Sequence, residues 1–339
     1  MTARFPDRPL LILFGLLLAA PSLRQVSFAT PQEKIDPKSD YQYRKDYAQV
    51  DGMMKETEPQ KRADMLLAFA KEHPQSRMIP YVSGYYSQIV ATNAQAGAWP
   101  KVIAMNEAFL ALVPDDKAAL GSLLGAYFQT NNFAKAVEAG EKIYASTPDK
   151  GVAYVLAKSY LQLKNTEKFL PYAEKLVAEL PIEQSYEFAL PVAGVHASKK
   201  DLAKASEYAS KVMNAFGEKP PQGVDAKAWK QSQSFAFGLM GAGAYEKKDY
   251  AKAIEYYQKA SAASPQADEP YYVIGMSKWR SQDLEGAMAA LAKVVVLNKT
   301  FAPKAKEYLE QLYKPLHNNT LDGLEEVLAK AKAELGISG

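Results

Sequence analysis

The sequence predicts an all-α fold, a solenoid of stacked antiparallel helix pairs closed by a C-terminal capping helix. Three observations carry this expectation. Two segments, Leu239–Pro265 and Val273–Lys299, align end to end without gaps. Within each, small and large apolar residues recur at the spacing of one helix face. Each also breaks once, at a short polar turn between two apolar runs.

The first segment pairs with the second position by position. Gly241 matches Gly275, Tyr250 matches Leu284, Ala253 matches Ala287, and Tyr257 matches Leu291. Upstream, Leu123–Pro148 has the same form, with Tyr127, Phe133, Ala136, Ile143 and Pro148. Ala253, Tyr257 and Ala260 stand at i, i+4 and i+7, so they share one helical face. Alanines there let the two helices of a pair approach closely, and the large residue fills the gap to the next pair. Proline ends the second helix, because it cannot donate a backbone bond and its ring clashes with the preceding turn. Asn131-Asn132 and Lys248-Asp249 fall where the polar turn must lie.

A period of this length, with helix, turn, helix and terminal proline, resembles the tetratricopeptide repeat, whose unit is about 34 residues. The resemblance implies a right-handed superhelix of helix pairs. Anchored on the alanine position, repeats are expected to centre on Ala63, Val102, Ala136, Phe169, Ala205, Ala253 and Ala287. Most successive centres are spaced close to that unit, and the step from Ala205 to Ala253 is much the longest. Several copies depart from the pattern. Val102 and Phe169 replace alanine, His196 takes the aromatic position of its copy, and Lys299 replaces the last proline. About seven repeats are expected over residues 45–313.

The longest interval contains Gly217–Gly223, a glycine- and proline-rich breaker. Asp225 after it can cap a helix running from about Ala226 to Lys247. The insertion near 217–230 is therefore a loop plus added helical turns, acting either as a connector or as a docking element. Downstream, residues 302–314 read as one more helix. Leu321–Leu335 reads as another, with Leu321, Leu324, Val327 and Leu328 on one face, and residues 314–339 are assigned to capping the stack.

The amino terminus reads differently. Arg4 and Arg8 precede an apolar run from Leu10 to Ala20, and Ser27-Phe28-Ala29 offers small residues for cleavage. Residues 1–29 are thus expected to be a signal peptide, because the run is about half the ~20 residues that an anchor would need. Residues 30–44 are expected to be a flexible leader. Export would place the mature chain in a periplasm or outside the cell, with no membrane span once the signal is removed.

Composition narrows the function. Of the 339 residues, 48% are hydrophobic, enough for a packed core, and no cysteine is present. Disulfides, thiolate metal sites and a cysteine nucleophile are therefore excluded. The formal net charge is +3, of which positions 1–29 supply two, so the remainder offers no basic footprint for nucleic acid. The three histidines, His73, His196 and His317, lie on different repeats, whose neighbour-only contacts keep them apart. Glu325-Glu326 and Asp115-Asp116 read as solvated surface. Neither a phosphate-binding glycine loop nor a zinc-protease motif occurs. No cofactor, no metal and no catalytic residue is expected.

What the repeat does offer is a face lined by the first helix of each pair. By resemblance to the family, its second, fifth, ninth, twelfth and thirteenth positions carry the contacts to a protein or peptide partner. Those positions give Phe128 and Gln129; Tyr154, Lys158 and Gln162; Tyr245 and Glu246; and Tyr272, Met276, Trp279 and Arg280. Aromatics and arginine are the side chains that anchor interfaces. Tyr272 and Trp279 could equally pack against neighbouring helices. The carboxylate clamp of co-chaperone members needs lysine and asparagine at the fifth and ninth positions. Here those pairs are Gly121 and Gly125, Tyr154 and Lys158, Leu190 and Gly194, Gly238 and Ala242, Tyr272 and Met276, so that activity is not implied. The expectation is a non-catalytic binding scaffold. An envelope-assembly factor carrying an outer-membrane or glycan-associated client, and a self-associating structural protein, remain alternatives.

Overall fold

The computed structural model describes residues 37–337, so the signal-peptide segment and residues 30–36 lie outside the described residues. Sixteen helices and no strand occur among the described residues. They are α1 (Pro37–Met54), α2 (Pro59–Glu72), α3 (Ile79–Gln95), α4 (Trp99–Leu110), α5 (Lys117–Gln129), α6 (Phe133–Ser146), α7 (Lys150–Gln162) and α8 (Thr166–Glu179). The chain continues with α9 (Ile182–Ser198), α10 (Leu202–Phe216), α11 (Ala226–Glu246), α12 (Tyr250–Ala263), α13 (Asp268–Arg280), α14 (Leu284–Leu297), α15 (Ala302–Leu316) and α16 (Leu324–Glu334). These residues form two compact units, one ending at Tyr172 and the other starting at Ala173, within α8.

In the first unit, each helix from α1 to α6 packs on the next, and α3 also meets α5. In the second, the same neighbour-to-neighbour packing runs from α9 to α15, α9 also meets α11, and α16 lies on α14. That pattern is the one expected of repeats, which bury their apolar faces against the next copy. The anchor residues Ala63, Val102, Ala136, Phe169, Ala205, Ala253 and Ala287 fall on α2, α4, α6, α8, α10, α12 and α14, one on each second helix, and all are buried to 1% exposure or less.

The turns inside the pairs share one design. Asn131, Lys164, Lys200, Lys248 and Gln282 take left-handed backbone conformations, with φ of 56–65°. The following residues are Asn132, Asn165, Asp201, Asp249 and Asp283. Each returns its backbone N–H to the carbonyl five residues earlier, at 2.8–2.9 Å. This closes the first helix in the manner of a Schellman motif. The side-chain oxygen of the same residue then accepts the N–H three residues on, capping the second helix. One residue thus ends one helix and starts the next, four residues before each anchor.

Close approach within a pair sets the small residues. A Cβ on Gly241 would lie 2.6 Å from the Tyr257 ring, and one on Gly275 would lie 2.9 Å from Leu291. The two contacts are the same contact in successive copies of the repeat. At the end of α14, where proline is missing, Asn298 stops the helix by turning left-handed at φ 50°.

Asp225 caps α11 through the N–H groups of Lys227 and Ala228, as expected. The insertion before it is fastened down. The Trp229 indole and the Gln233 amide both donate to the Gly217 carbonyl, at 3.3 and 2.8 Å, and the Trp229 ring meets Phe216 edge-on.

Two boundaries differ from expectation. Helix α1 begins at Pro37, inside the segment expected to be a flexible leader. Proline suits a first helical turn, and Asp46, Val50 and Met53 fall on a buried face. Asp46 also accepts from Ser76 and Gln42 at 2.5 and 2.6 Å, which ties α1 to the turn after α2. At the other end, α15 continues through residue 314 to Leu316, and the capping helix starts only at Leu324, after Gly323 at φ 86°. Leu321 is therefore exposed and does not join the apolar face, which Leu324 and Ala331 bury beside α14.

Because Ala253 is fully buried, Ala253→Leu is expected to cost about 1–3 kcal/mol by overpacking. The same change at exposed Ala262 is expected to stay within about 0.5 kcal/mol. Urea unfolding of both variants measures the difference, and equal midpoints would contradict the packing described.

Candidate functional site

Helix α13 carries Tyr272, Met276 and Trp279 at i, i+4 and i+7, a stripe along one face. The neighbouring first helix, α15, supplies Tyr308, and the turn before it supplies Phe301. Tyr272 stacks on Phe301 with ring centroids 4.8 Å apart and lies 6.5 Å from Tyr308. Trp279 meets Tyr308 edge-on at 5.4 Å. Lys304 sits over the Tyr308 ring at 4.6 Å and pairs with Glu307. All three stripe residues are half-buried, and Arg280 at the end of α13 is exposed. Both readings of Tyr272 and Trp279 are therefore partly right: one side of each ring rests on α15 or its lead-in turn, and part stays open to solvent.

Tyr245, on α11, is half-buried and meets Tyr250 edge-on at 5.5 Å. It is close enough to Tyr272 to raise that hydroxyl further, beyond the larger effects of desolvation and Tyr308. Glu246 beside it is exposed. Glu269, one turn before Tyr272, is exposed. Desolvation first, then Asp268, push its carboxyl above the usual carboxylate range. Phe235, on α11, is 46% exposed and lies over Gly194 of α9, where a Cβ would come within 3.3 Å of its ring.

The expected residues of the first unit do not assemble in this way. Phe128 is half-buried against Phe133, and Gln129 and Gln162 are exposed. Tyr154 is buried at 7% exposure, which removes it from a partner-facing surface. The reason is that α7 is enclosed on nearly all sides, with Val152 to Ala157 all buried. Lys158 reaches back over the Tyr154 ring at 5.9 Å.

The sequence reading missed Glu269, Phe235, Phe301 and Tyr308. A signal for the first two existed, because Phe235 and Glu269 hold the same second position in successive copies of the repeat.

A second recurring arrangement links successive pairs. Tyr127 on α5 donates to Glu107 of α4 at 2.5 Å, and Lys135 of α6 donates to the same oxygen at 2.8 Å. One repeat later, Tyr160 and Lys168 donate to Glu141 at 2.5 and 3.3 Å. These donors hold both glutamates below the usual carboxylate range, Lys135 being the stronger at Glu107 and Tyr160 the stronger at Glu141. The Tyr160 hydroxyl is pushed up by desolvation and by Glu141. In the next copy His196 replaces the tyrosine. It is buried, with Nε2 2.8 Å from Glu174 and Nδ1 3.5 Å from Asp201. Its role is therefore structural. Among the described residues, no group of three or more His, Asp or Glu side chains is placed to hold a metal ion.

Repeated helix pairs with a shared turn, a shared anchor and a shared inter-pair clip define a helical-hairpin repeat protein. The tetratricopeptide-repeat family model matches residues 103–151 and 239–305, so these two stretches are similar to tetratricopeptide repeats. Solved structures similar to it include YrrB, titled "a TPR protein with an unusual peptide-binding site", at 18% identity. That match has a TM-score of 0.41 and covers 59% of this chain and 91% of that one. A tetratricopeptide repeat protein from Parabacteroides merdae is 14% identical with a TM-score of 0.34, covering 82% and 99% of the two chains. PilF of Pseudomonas aeruginosa is 15% identical with a TM-score of 0.36, covering 74% and 97%. No curated protein matches the sequence.

Since Tyr308 supports Trp279 and lies beside Tyr272, Tyr308→Ala is expected to lower stability by about 1–3 kcal/mol. It should also shift tryptophan emission to the red, while Tyr308→Phe should retain the native spectrum. An unchanged spectrum in the alanine variant would show that α15 does not support the stripe.

Proposed function

We propose that the chain is a non-catalytic scaffold that binds a protein or peptide partner after export to a periplasm or the extracellular space. The observation that carries the binding reading is the half-open aromatic stripe of Tyr272, Met276 and Trp279 with Tyr308. Its rings are braced on one side and accessible on the other, so ordering them on binding costs little entropy. Exposed Arg280 at one end and exposed Glu269 at the other give the stripe polar ends of opposite charge. An extended peptide or helix could be held in one direction along it. The location rests on residues 1–29 alone, with their basic start, apolar run and small residues before Ala29.

The test begins with protein from residue 30 onward, immobilised against an envelope extract, and identification of what is retained. Calorimetry of the identified partner then compares wild type with Trp279→Ala. The variant should bind about thirtyfold more weakly, equivalent to about 2 kcal/mol. Unchanged affinity would remove the stripe from the interface. Fractionation of cells expressing the full chain, with the mass of the recovered amino terminus, tests export. A chain beginning at Thr30 is expected, and a full-length chain retained in the cytoplasm would contradict it.

A further inference from the structure

A cleft of about 310 Å³ opens between α4, α5 and α6. Its apolar lining includes Leu110, Leu120, Leu123 and Ala139, with the Glu107–Tyr127 pair at one side. The volume is at the small end of the roughly 300–1,000 Å³ range of small-molecule and side-chain pockets. Lys135 and Lys142 face Glu107 and Glu138 around it, so its charges balance and favour an uncharged guest.

The repeat itself shows what this space accommodates. Ala139 stands three residues after its anchor, Ala136. In the next two copies the corresponding residues, three after Phe169 and Ala205, are Tyr172 and Tyr208. Tyr172 stacks on the clip tyrosine, Tyr160, with centroids 6.1 Å apart and planes 12° from parallel. It also meets Tyr144 edge-on at 5.1 Å, and its hydroxyl lies near enough to Glu141 to be raised by it, after the larger effect of desolvation. Tyr208 stacks on His196 at 5.7 Å and 9°, and its hydroxyl is raised by desolvation and by nearby Glu174. In both copies, then, a phenol ring lies parallel to the clip residue, with its hydroxyl near the clip glutamate.

In the copy built on Glu107, both rings are missing. Ala139 replaces the stacking tyrosine, and Leu110 stands one repeat before Tyr144, where the edge-on ring would be. Among the described residues, the side-chain donors to Glu107 are Tyr127 and Lys135, both on one oxygen. The cleft is the space those rings occupy elsewhere in the same chain.

We propose that this cleft receives a tyrosyl side chain from a partner polypeptide. The ring lies on Tyr127 as Tyr172 lies on Tyr160, and the hydroxyl donates to the second oxygen of Glu107. The site is separate from the stripe on α13, and its occupancy does not depend on that stripe being an interface.

Isotope-labelled protein from residue 30 onward, titrated with N-acetyl-tyrosinamide and followed by amide chemical shifts, tests this. Saturable shifts are expected around Leu110, Tyr127 and Ala139, with binding several-fold tighter than for N-acetyl-phenylalaninamide or N-acetyl-leucinamide. Ala139→Tyr fills the cleft from within and should weaken binding about tenfold or more. Leu110→Tyr, which imitates Tyr144, should act in the same direction and serves if the first variant folds poorly. Glu107→Gln should reduce the preference for tyrosine over phenylalanine. The proposal is overturned by shifts that do not saturate, by shifts centred elsewhere, or by equal binding in the filled variants. Tighter binding of free tyrosine than of the blocked amide would overturn the polypeptide source.

Discussion

The rest of the structure depends on how closely the two helices of each pair meet. Where Gly241 faces Tyr257, and Gly275 faces Leu291, even one added carbon has no room. Contact this tight fixes the relative position of two helices only if the turn between them is equally constrained. The left-handed residue and its Asn or Asp neighbour supply that constraint, and they do so at the same distance from every anchor between Ala136 and Ala287. The hairpin is thus a rigid unit. What varies between copies is the residue set outward from this frame, and the variation is where specific properties arise.

Three such variations matter here. On α13, Tyr272 and Met276 occupy the positions that Gly238 and Ala242 hold on α11, and a half-open aromatic stripe results. In the clip between pairs, tyrosine gives way to His196, which keeps the hydrogen bond to a glutamate while exchanging a hydroxyl for a ring nitrogen. At Ala139 the chain omits a ring that the next two copies retain, and a cleft is left open. Each is a local departure from a repeated rule, and each is recognisable because the rule holds nearby.

Much of the frame was legible in the sequence because it rests on short-range chemistry. All seven anchors lie buried on second helices, including the atypical Val102 and Phe169, since burial at that position depends on helical period more than on residue size. Asp225 was legible as a cap because the breaker before it left the next helix no other start. Residues 30–44 read as a leader, yet a helix begins at Pro37, because proline suits a first helical turn. Leu321 was placed on the capping helix because its spacing fits, yet Gly323 turns the chain before the helix begins. The site was less legible for a different reason. Family positions say which side of a helix faces outward, but not how far its neighbours cover it. Tyr154 is covered, whereas Trp279 is half-covered, with one side resting on Tyr308 of the next repeat.

Residue-resolved amide hydrogen exchange of the folded protein tests the central claim most directly. Asn132, Asn165, Asp201, Asp249 and Asp283 sit in exposed turns, where a simple loop would exchange at nearly the free-chain rate. If each closes one helix and starts the next, their amides should exchange as slowly as those inside the adjoining helices, all five alike. Fast exchange at these positions, beside slow exchange in the helices, would mean that the hairpins are not held by their turns, and the account of the frame would fail.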